Sequence, residues 1–312
     1  MKKVSTPDIV VVGSVNLDMV ATVQSLPKPG ETTLARTYAE FPGGKGSNQA
    51  IAAARLGSRV AFVGRVGCDE AGRTVREALI VAGVDESHLL VDAASPTGRA
   101  LVLVDETAEN SIVVVSGANA TLNPGSVIQA AEAVEEAAVV LAQLEVPLEV
   151  VRVAAQRSKG IFVLNPAPAR ALERELLELV DVMVVNEGEF EVVFGQPVPE
   201  DPALLGEALA GRKAPASLVV TLGGRGALIW ASGETTQIPA PSVNVVDTTG
   251  AGDTFVGALG NALAKGEPLH EAAKWAVCAA SLSTQSLGAT SGMPTHAAVR
   301  ELHGKLARVD GQ

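Results

Sequence analysis

The chain has 312 residues, of which 47% are hydrophobic, 19% are charged and only 3% are aromatic, and its formal net charge is −11. The excess of negative charge argues against nonspecific binding to a nucleic-acid backbone, and the shortage of aromatic side chains argues against modules that stack bases. A small phosphorylated ligand remains compatible with this composition, because Mg²⁺ and backbone N–H groups neutralise phosphates locally.

The two cysteines, Cys68 and Cys278, belong to no C-x-x-C pair and to no cluster with histidine. We interpret both as small buried apolar residues. The apolar run Ile9–Val12 is interrupted by Gly13 too early for a signal peptide, so it predicts a first strand. Because no apolar stretch reaches membrane-spanning length without Gly or charge, we expect a soluble cytoplasmic protein.

Short runs of β-branched residues alternate with longer segments rich in Ala, Leu and Glu, which is the pattern of an α/β fold. The runs are nearly all apolar, as strands buried in a parallel sheet are. The predicted strands are Ile9–Val12, Val60–Val63, Val139–Leu144, Ile161–Leu164, Val182–Val185 and Leu218–Thr221. The predicted helices are Ser47–Leu56, Glu70–Ala82, Ser126–Glu136, Glu173–Leu179, Asp201–Ala210, Asp253–Ala264 and Leu269–Thr284. We therefore expect one α/β domain over residues 1–312, with a doubly wound, mostly parallel sheet flanked by helices.

Two stretches, at about residues 19–41 and 97–115, lack helical periodicity and break this alternation. The first contains the Pro- and Gly-rich turn Leu26–Gly30, and the second has the pattern of a hairpin around a polar turn, Asp105–Asn110. We predict that both form extra strands of a small lid beside the main sheet. The apolar residues that would give this lid a surface to bury are Ala100, Val102, Val104, Ile112, Val113 and Val115.

Polar residues follow five of the predicted strands at the point where each strand ends. They are residues 13–18, Glu145, Asn165, the segment Asn186–Glu189 and the segment Thr221–Gly226. Each alone is ordinary turn chemistry. In open parallel sheets, however, ligands bind beyond the carboxyl ends of the strands, so five such segments predict one polar crevice.

The most informative motif is residues 247–255, Asp-Thr-Thr-Gly-Ala-Gly-Asp-Thr-Phe, which opens a predicted helix. Small residues at Gly250–Gly252 let the backbone approach a ligand, and N–H groups at a helix N-terminus favour an anion. Asp253 would then stand beside a bound phosphate, where a carboxylate can take a hydroxyl proton. The alternative is that Asp253 only caps the helix.

A second motif, residues 43–49 with the sequence Gly-Gly-Lys-Gly-Ser-Asn-Gln, precedes another predicted helix. It is not a P-loop, because Gly46 follows Lys45 where Ser or Thr is required, and the chain has no dinucleotide fingerprint between a strand and a helix. The amides of Asn48 and Gln49 would suit polyol hydroxyls. The alternative is a glycine turn with a solvated lysine.

Together, the two motifs resemble the two signatures of the ribokinase-like carbohydrate kinases, and the resemblance covers roughly residues 8–300. It is closest to the members that phosphorylate D-ribose, on Gly13–Asp18, Gln143–Glu145 and Asn165–Ala169. The resemblance implies transfer of a phosphoryl group from ATP, with Mg²⁺, to O5 of D-ribose to give D-ribose 5-phosphate. It also implies that lids of two chains pair in a homodimer.

By this resemblance Asp253 is the base that deprotonates O5, and the N–H groups of Gly250, Ala251 and Gly252 form an anion hole for the γ-phosphoryl group. The implied sugar-binding residues are Asn16, Leu17, Asp18, Gly44, Lys45, Gly46, Ser47, Asn48, Glu145 and Asp253. The implied ATP-binding residues are Asn186, Thr221, Leu222, Gly223, Gly224, Arg225, Gly226, Gly252 and Asp253. Glu189 would organise Mg²⁺ through water. Taken alone, Asn186–Glu189 would be interpreted as a helix start with an acidic first turn.

The family also uses a monovalent cation, usually K⁺, beside the anion hole. The residues that correspond to its site are Asp247, Thr249, Ser283, Ser286, Gly288 and Gly292. The family often has Ser where this chain has Gly292, so one side-chain ligand is absent or is supplied by Ser291.

Two alternatives to a D-ribose kinase remain at this point. One is a related kinase acting on deoxyribose, a nucleoside or a ketohexose. We expect Asn16, Asp18 and Glu145 to discriminate among these substrates, because a buried polar group that lacks its hydroxyl partner is costly. The other is a non-catalytic sugar-binding protein on the same scaffold, against which the intact Gly250–Gly252 and Asp253 argue.

Overall fold

The computed structural model describes residues 6–107, 109–210 and 214–309. The strands in these ranges are β1 (Ile9–Val12), β2 (Asn16–Thr22), β3 (Thr37–Gly43), β4 (Val60–Gly67), β5 (Asp85–Asp92), β6 (Gly98–Val104), β7 (Asn110–Val115), β8 (Val139–Gln143), β9 (Ile161–Asn165), β10 (Val182–Asn186), β11 (Ser217–Thr221), β12 (Ala227–Ala231) and β13 (Glu234–Ile238). The α-helices are α1 (Lys45–Arg55), α2 (Glu70–Val81), α3 (Pro124–Gln129), α4 (Ala131–Glu136), α5 (Leu148–Arg157), α6 (Arg174–Leu177), α7 (Glu187–Phe194), α8 (Leu205–Leu209), α9 (Ala251–Leu263), α10 (Leu269–Ser283) and α11 (His296–Val309). Ala108, in the predicted turn of the second lid stretch, lies outside the described residues.

The main sheet has nine strands in the order β13-β12-β11-β10-β9-β8-β1-β4-β5. All neighbouring pairs from β5 to β11 are parallel, whereas β11–β12 and β12–β13 are antiparallel. The central strand β1 shows why its sequence is apolar throughout. Ile9 and Val11 pack into a core that includes residues of α1, α9 and α10, while Val10 and Val12 pack into a second core that includes residues of α5 and α7. The predicted α/β fold with a mostly parallel sheet is confirmed.

A second sheet of four strands has the order β3-β2-β6-β7 and is built from the two stretches that break the α/β alternation. β2 and β6 are parallel, and the other two pairs are antiparallel. All of β7 is exposed, including Ile112, Val113 and Val115, and Leu101 of β6 lies opposite Val113. Ala100 is buried, so this one of the predicted surface residues does not contribute to the exposed face.

Several elements are not predicted from the sequence. β5 is an edge strand of mostly polar residues, and β12 and β13 form a hairpin whose turn has Ser232 and Gly233 at positive φ. The predicted helix Ser126–Glu136 is divided at Ala130, and the predicted Asp201–Ala210 helix begins with a 3₁₀ turn. The helices α5 and α11 are not predicted, and of α7 only the start at Asn186–Glu189 is.

The interpretation of Cys68 as buried is wrong, since it is exposed just after β4, whereas Cys278 of α10 is buried as expected. Of the helices within the described ranges, none is sufficiently long and apolar to span a membrane.

Candidate active site

The carboxyl ends of β9, β10 and β11 meet the start of α9 around a cavity of about 140 Å³. Many of the residues singled out in the sequence line this cavity. They are Lys45, Asn165, Asn186, Glu189, Thr221, Gly250, Gly252 and Asp253. A larger cavity of about 380 Å³ lies between β13, α10 and α11, and none of the predicted site residues lines it.

Asp253 lies in the first turn of α9, and its carboxylate faces α1 rather than its own helix N-terminus. Asn48 Nδ2 donates to Asp253 Oδ2 at 2.9 Å, and Gln49 Nε2 donates to Oδ1 at 3.3 Å. The N-cap residue is Gly250, and no side chain caps the helix. The interpretation of Asp253 as a helix cap is therefore wrong.

Burial raises the pKa of Asp253 above its ordinary value. The positive charge of Lys45 and the hydrogen bonds from Asn48 and Gln49 oppose this rise, while the negative charge of Glu145 adds to it. A carboxylate that is desolvated and yet held by donors is a stronger proton acceptor than one in water.

The loop before α9 contains the three residues predicted to form the anion hole. Gly250 has a φ of 74°, and a Cβ atom there would lie 2.8 Å from the Cα atom of Ala289. At Gly252, by contrast, no atom lies within 4 Å of the Cβ position, so its backbone is open to the cavity. The Ala251 N–H donates to the Thr248 carbonyl at 3.1 Å. Of the three N–H groups predicted to form the anion hole, this one is therefore already hydrogen-bonded within the loop.

On the lid side of the crevice, Asp18 is half-buried and one of its oxygens is buried without a partner. A Cβ atom at Gly43 of β3 would collide with this carboxylate, so any larger residue there would displace the Asp18 side chain. Burial, together with the negative charges of Glu145 and Asp253, raises the pKa of Asp18 to about 7, although Lys45 opposes the shift. Asp18 Oδ1 is buried without a hydrogen-bond partner.

Two more predicted sugar-binding side chains approach from neighbouring elements. Glu145 Oε2 accepts from Ser14 Oγ at 2.6 Å and from the Lys45 N–H at 3.2 Å. Asn48 Oδ1, like Asp18 Oδ1, is buried with no partner. Buried orphan acceptors are uncommon in proteins, and here both belong to residues predicted to accept from sugar hydroxyls.

Lys45 balances these carboxylates. Its burial alone would lower its pKa, but attraction to Asp253, Glu145, Glu189 and Asp18 outweighs burial and raises the pKa. Lys45 is therefore a cation at neutral pH.

The other predicted sugar-binding residues shape the backbone. A Cβ atom at Gly44, which has a φ of 92°, would lie 2.7 Å from the Asn16 N atom, and one at Gly46 would lie 2.6 Å from the Ser14 N atom. The Ser47 hydroxyl donates to the carbonyls of Gly43 and Gly44. Leu17 is buried in the core.

The segment Asn186–Glu189 is both a helix start and part of the crevice. Asn186 Oδ1 accepts from the Glu189 N–H at 2.8 Å, and Glu189 Oε2 accepts from the Asn186 N–H at 2.9 Å, which is a complete capping box. The helix interpretation is confirmed, and both side chains also line the cavity. Mg²⁺ commonly binds one or two carboxylates, its waters and substrate phosphates, so the single carboxylate of Glu189 is compatible with it.

The predicted nucleotide loop follows β11. Thr221 Oγ1 donates to the Val185 carbonyl at 3.3 Å, Leu222 is buried, and Gly223–Arg225 form a 3₁₀ turn. Gly224 has open space around it, whereas a Cβ atom at Gly226, whose φ is 94°, would collide with the Ile238 carbonyl. Arg225 forms an ion pair with Glu187.

The residues of the predicted cation site also come together. Asp247 accepts from the Thr249 N–H at 2.9 Å and from the Gly288 N–H at 2.7 Å. Partial burial would raise the pKa of Asp247, but these hydrogen bonds outweigh it and lower the pKa. The donor set of one carboxylate and several carbonyls is compatible with a monovalent cation, but two of the carboxylate's acceptor positions are already filled.

Gly292 departs from the family pattern in a way that the backbone explains. A Cβ atom there would collide with the Ser283 carbonyl, and it would lie 3.4 Å from the Ser286 carbonyl. The hydroxyl of Ser291 bonds to the carbonyls of Leu287 and Gly288. It is therefore engaged within its own turn.

Some residues of the site were not assigned a role from the sequence. Asn119 Nδ2 donates to Asn16 Oδ1 at 2.8 Å, and Asn119 also pairs with both backbone groups of Val15. Gln143 donates to Gln49 Oε1 at 2.6 Å. No local motif marks Asn119, whereas the position of Gln143 at a strand end was a signal for the crevice.

A buried carboxylate in the first turn of a helix, held by side chains of a second helix at a polar crevice on a doubly wound sheet, is the arrangement expected of a phosphoryl-transfer enzyme of the sugar-kinase class. The model of the pfkB family of carbohydrate kinases matches residues 6–296, and the chain belongs to this family. The predicted family and the kinase activity are thereby confirmed.

Among its relatives, the chain is 40% identical over 291 residues to the ribokinase of Haemophilus influenzae, covering 92% of this chain and 95% of that one. It is 41% identical over 298 residues to the ribokinase of Bacillus subtilis, covering 95% and 99%. The structure of Arabidopsis thaliana ribokinase complexed with ribose and ATP superposes with a TM-score of 0.88 at 35% identity, covering 96% of this chain and 99% of that one.

Proposed function

We propose that this protein is an ATP-dependent D-ribose kinase, which transfers the γ-phosphoryl group to O5 and releases D-ribose 5-phosphate. The observation that carries the proposal is the carboxylate of Asp253, which is held by Asn48 and Gln49 at the mouth of α9. The similarity to ribokinases over nearly the whole chain supports ribose as the acceptor.

In the proposed reaction, Asp253 accepts the proton of the O5 hydroxyl as that oxygen attacks the γ-phosphorus atom. The bond from this phosphorus to the oxygen that bridges it to the β-phosphate breaks, and ADP leaves. The positive end of α9 and the N–H groups at Gly250 and Gly252 stabilise the negative charge on the transferred group. Lys45 keeps the crevice from accumulating negative charge beside the phosphates. Glu189, beside Asn186, would hold Mg²⁺ through water, and the metal would neutralise charge on the ATP phosphates.

Specificity for ribose would come from the two buried oxygens that lack a hydrogen-bond partner. Asp18 Oδ1 and Asn48 Oδ1 each gain a hydroxyl partner when a pentose binds, and Asn16 and Glu145 contribute the adjoining contacts. A sugar that lacks one of these hydroxyls leaves a buried oxygen unpaired, which is costly. Deoxyribose, which lacks one hydroxyl of ribose, should therefore be a poorer substrate.

The lid supports two further proposals. Asp18 belongs to β2, so lid closure over bound sugar would exclude water and limit ATP hydrolysis. Two chains would pair through the exposed apolar face of the lid that carries Leu101, Val113 and Val115. We also propose that the enzyme acts in the cytoplasm.

A monovalent cation at the Asp247 loop is the final part of the proposal. K⁺ bound there would order the backbone of residues 247–252, which forms the anion hole, without touching the sugar. It should therefore change turnover more than ribose affinity.

The decisive experiment is a coupled assay of ADP release over pentoses, hexoses and nucleosides, with wild type and Asp253→Asn. D-Ribose should give the highest kcat/KM, and Asp253→Asn should lose about 10²–10⁴-fold in turnover while still binding ribose by calorimetry. Turnover within threefold of wild type would exclude Asp253 as the base. Preference for another sugar would overturn the assignment of substrate but not of chemistry.

A further inference from the structure

A chain of buried side-chain amides runs from the end of β8 to Asp253. Gln143 Nε2 donates to Gln49 Oε1 at 2.6 Å, and Gln49 Nε2 donates to Asp253 Oδ1 at 3.3 Å. The same Gln49 nitrogen donates to Asn165 Oδ1 at 3.3 Å. Gln143 and Gln49 are completely buried, and neither lines the cavity.

The partners at both ends fix which way the Gln49 amide points. Asn165 Nδ2 donates to the Val184 carbonyl at 3.0 Å, so its oxygen must face Gln49. Gln143 presents its NH₂ group to the Gln49 oxygen. If Gln49 were flipped, its carbonyl oxygen would meet two other oxygens, those of Asn165 and Asp253, in a buried setting where such contacts are costly.

We propose that Gln143 and Gln49 are positioning residues for the reaction, which act as an amide relay that aims the Asp253 carboxylate and keeps a donor on its Oδ1 atom. This inference rests on the proposed function of Asp253 as the base. Gln143 has its effect through Gln49, since without the Gln143 donor the Gln49 oxygen is buried and unpaired.

The same feature predicts a change in pH dependence. The charged groups that face Asp253 are Lys45 of α1, Glu145 after β8 and Asp18 of β2, and none of them changes when an amide is replaced. A donor to the ionised form lowers a carboxyl pKa, so loss of the Gln49 donor raises the pKa of Asp253. The acid limb of the kcat/KM profile should then move to higher pH.

The test uses Gln143→Met and Gln49→Met, which keep side-chain volume but remove the amide. Asn261→Leu is the matched control, because Asn261 is a fully buried amide on the same helix as Asp253 and donates to the Leu56 carbonyl and Ser58 Oγ instead. For each variant we would measure thermal stability, the pH profile of kcat/KM, and the KM for ribose and for ATP.

We expect the acid limb to shift upward by about 1 pH unit in Gln49→Met, the size of one hydrogen bond to a charged group, and in the same direction in Gln143→Met. Turnover at pH 7 should fall about tenfold or more in Gln49→Met, with both KM values within about twofold of wild type. Asn261→Leu should lose stability and keep the wild-type acid limb.

An unchanged acid limb in a folded Gln143→Met or Gln49→Met enzyme would overturn the relay. If both variants fail to fold while Asn261→Leu folds, the amides are structural and the inference is also wrong. The proposed function is tested separately by Asp253→Asn. If Asp253→Asn is inactive while Gln143→Met has the wild-type pH profile, the relay is wrong and the role of Asp253 as the base stands. If Asp253→Asn is active, Asp253 is not the base.

Discussion

Replacing Asp18 by Asn should stabilise the folded protein at pH 8 while impairing ribose binding. Asp18 is half-buried near Glu145 and Asp253, and its pKa is raised from 3.8 to about 7. A carboxyl whose pKa is higher in the folded state than in the unfolded state stabilises the fold fully only below its unfolded pKa. That contribution is lost as the pH rises through the folded pKa. Asn keeps the shape of the side chain and removes this cost.

The magnitude follows from the pKa shift. At 1.36 kcal/mol for each pKa unit, a shift from 3.8 to about 7 is worth about 4 kcal/mol once Asp18 is fully ionised. Most of this difference accumulates between pH 5 and pH 8. The gap in unfolding free energy between Asp18→Asn and wild type should therefore widen by about 2–3 kcal/mol over that interval.

The assay is urea unfolding of both proteins at pH 5 and pH 8 without ribose. Asp69→Asn is the control, because hydrogen bonds from Thr97 and Gly72 outweigh the burial of Asp69 and lower its pKa. Its contribution to stability is lost only as the pH falls below about 4, so its gap to wild type should be constant between pH 5 and pH 8. A constant gap for Asp18→Asn, or an Asn variant less stable than wild type at pH 8, would refute the reasoning.

Three further predictions concern the loop, the cation and the lid. Gly250→Ala forces a side chain against Ala289 at positive φ and should lower kcat at least tenfold, whereas Gly266→Ala, also at positive φ but in open space, should cost about 1 kcal/mol of stability and leave kcat unchanged. KCl should raise the initial rate above a tetramethylammonium control, and Asp247→Ala should abolish this stimulation; a flat titration of active wild type would mean that Gly292 has eliminated the site. Val113→Lys should shift the protein from dimer to monomer in sedimentation, whereas Val81→Lys, at a still more exposed position on α2, should not; a monomeric wild type would exclude the lid dimer.

The main sheet could be predicted because its strands are apolar on both faces. Ile9–Val12 is predicted to the residue, and Val182–Val185 differs from the observed strand only at Asn186. β5 could not be predicted in the same way, because an edge strand needs little apolar surface. The hairpin of β12 and β13 had a signal in its turn, Ser232-Gly233, since that dipeptide at positive φ suits a two-residue hairpin loop.

The candidate site was predictable where chemistry is concentrated in short motifs. Asp253 and Asn48 lie within such motifs, and the structure joins them by a hydrogen bond across 205 positions of sequence. Asn119 was not predictable, because its role depends on a contact with Asn16 across 103 positions, and an isolated asparagine in a loop has many ordinary uses.

The arrangement of charge explains why the crevice combines raised carboxyl pKa values with a cationic lysine. Asp18, Glu145 and Asp253 repel one another, and Lys45 offsets only part of that repulsion. A sugar brings hydroxyl donors and no charge, so it relieves the orphan oxygens without adding a negative group. In the proposed reaction the phosphates, which are negative, would bind instead at the N-terminus of α9, where the backbone carries the opposite partial charge. Asp253 would thereby lie between the sugar on the lid side and the phosphates at α9, where it can take the proton of the attacking hydroxyl.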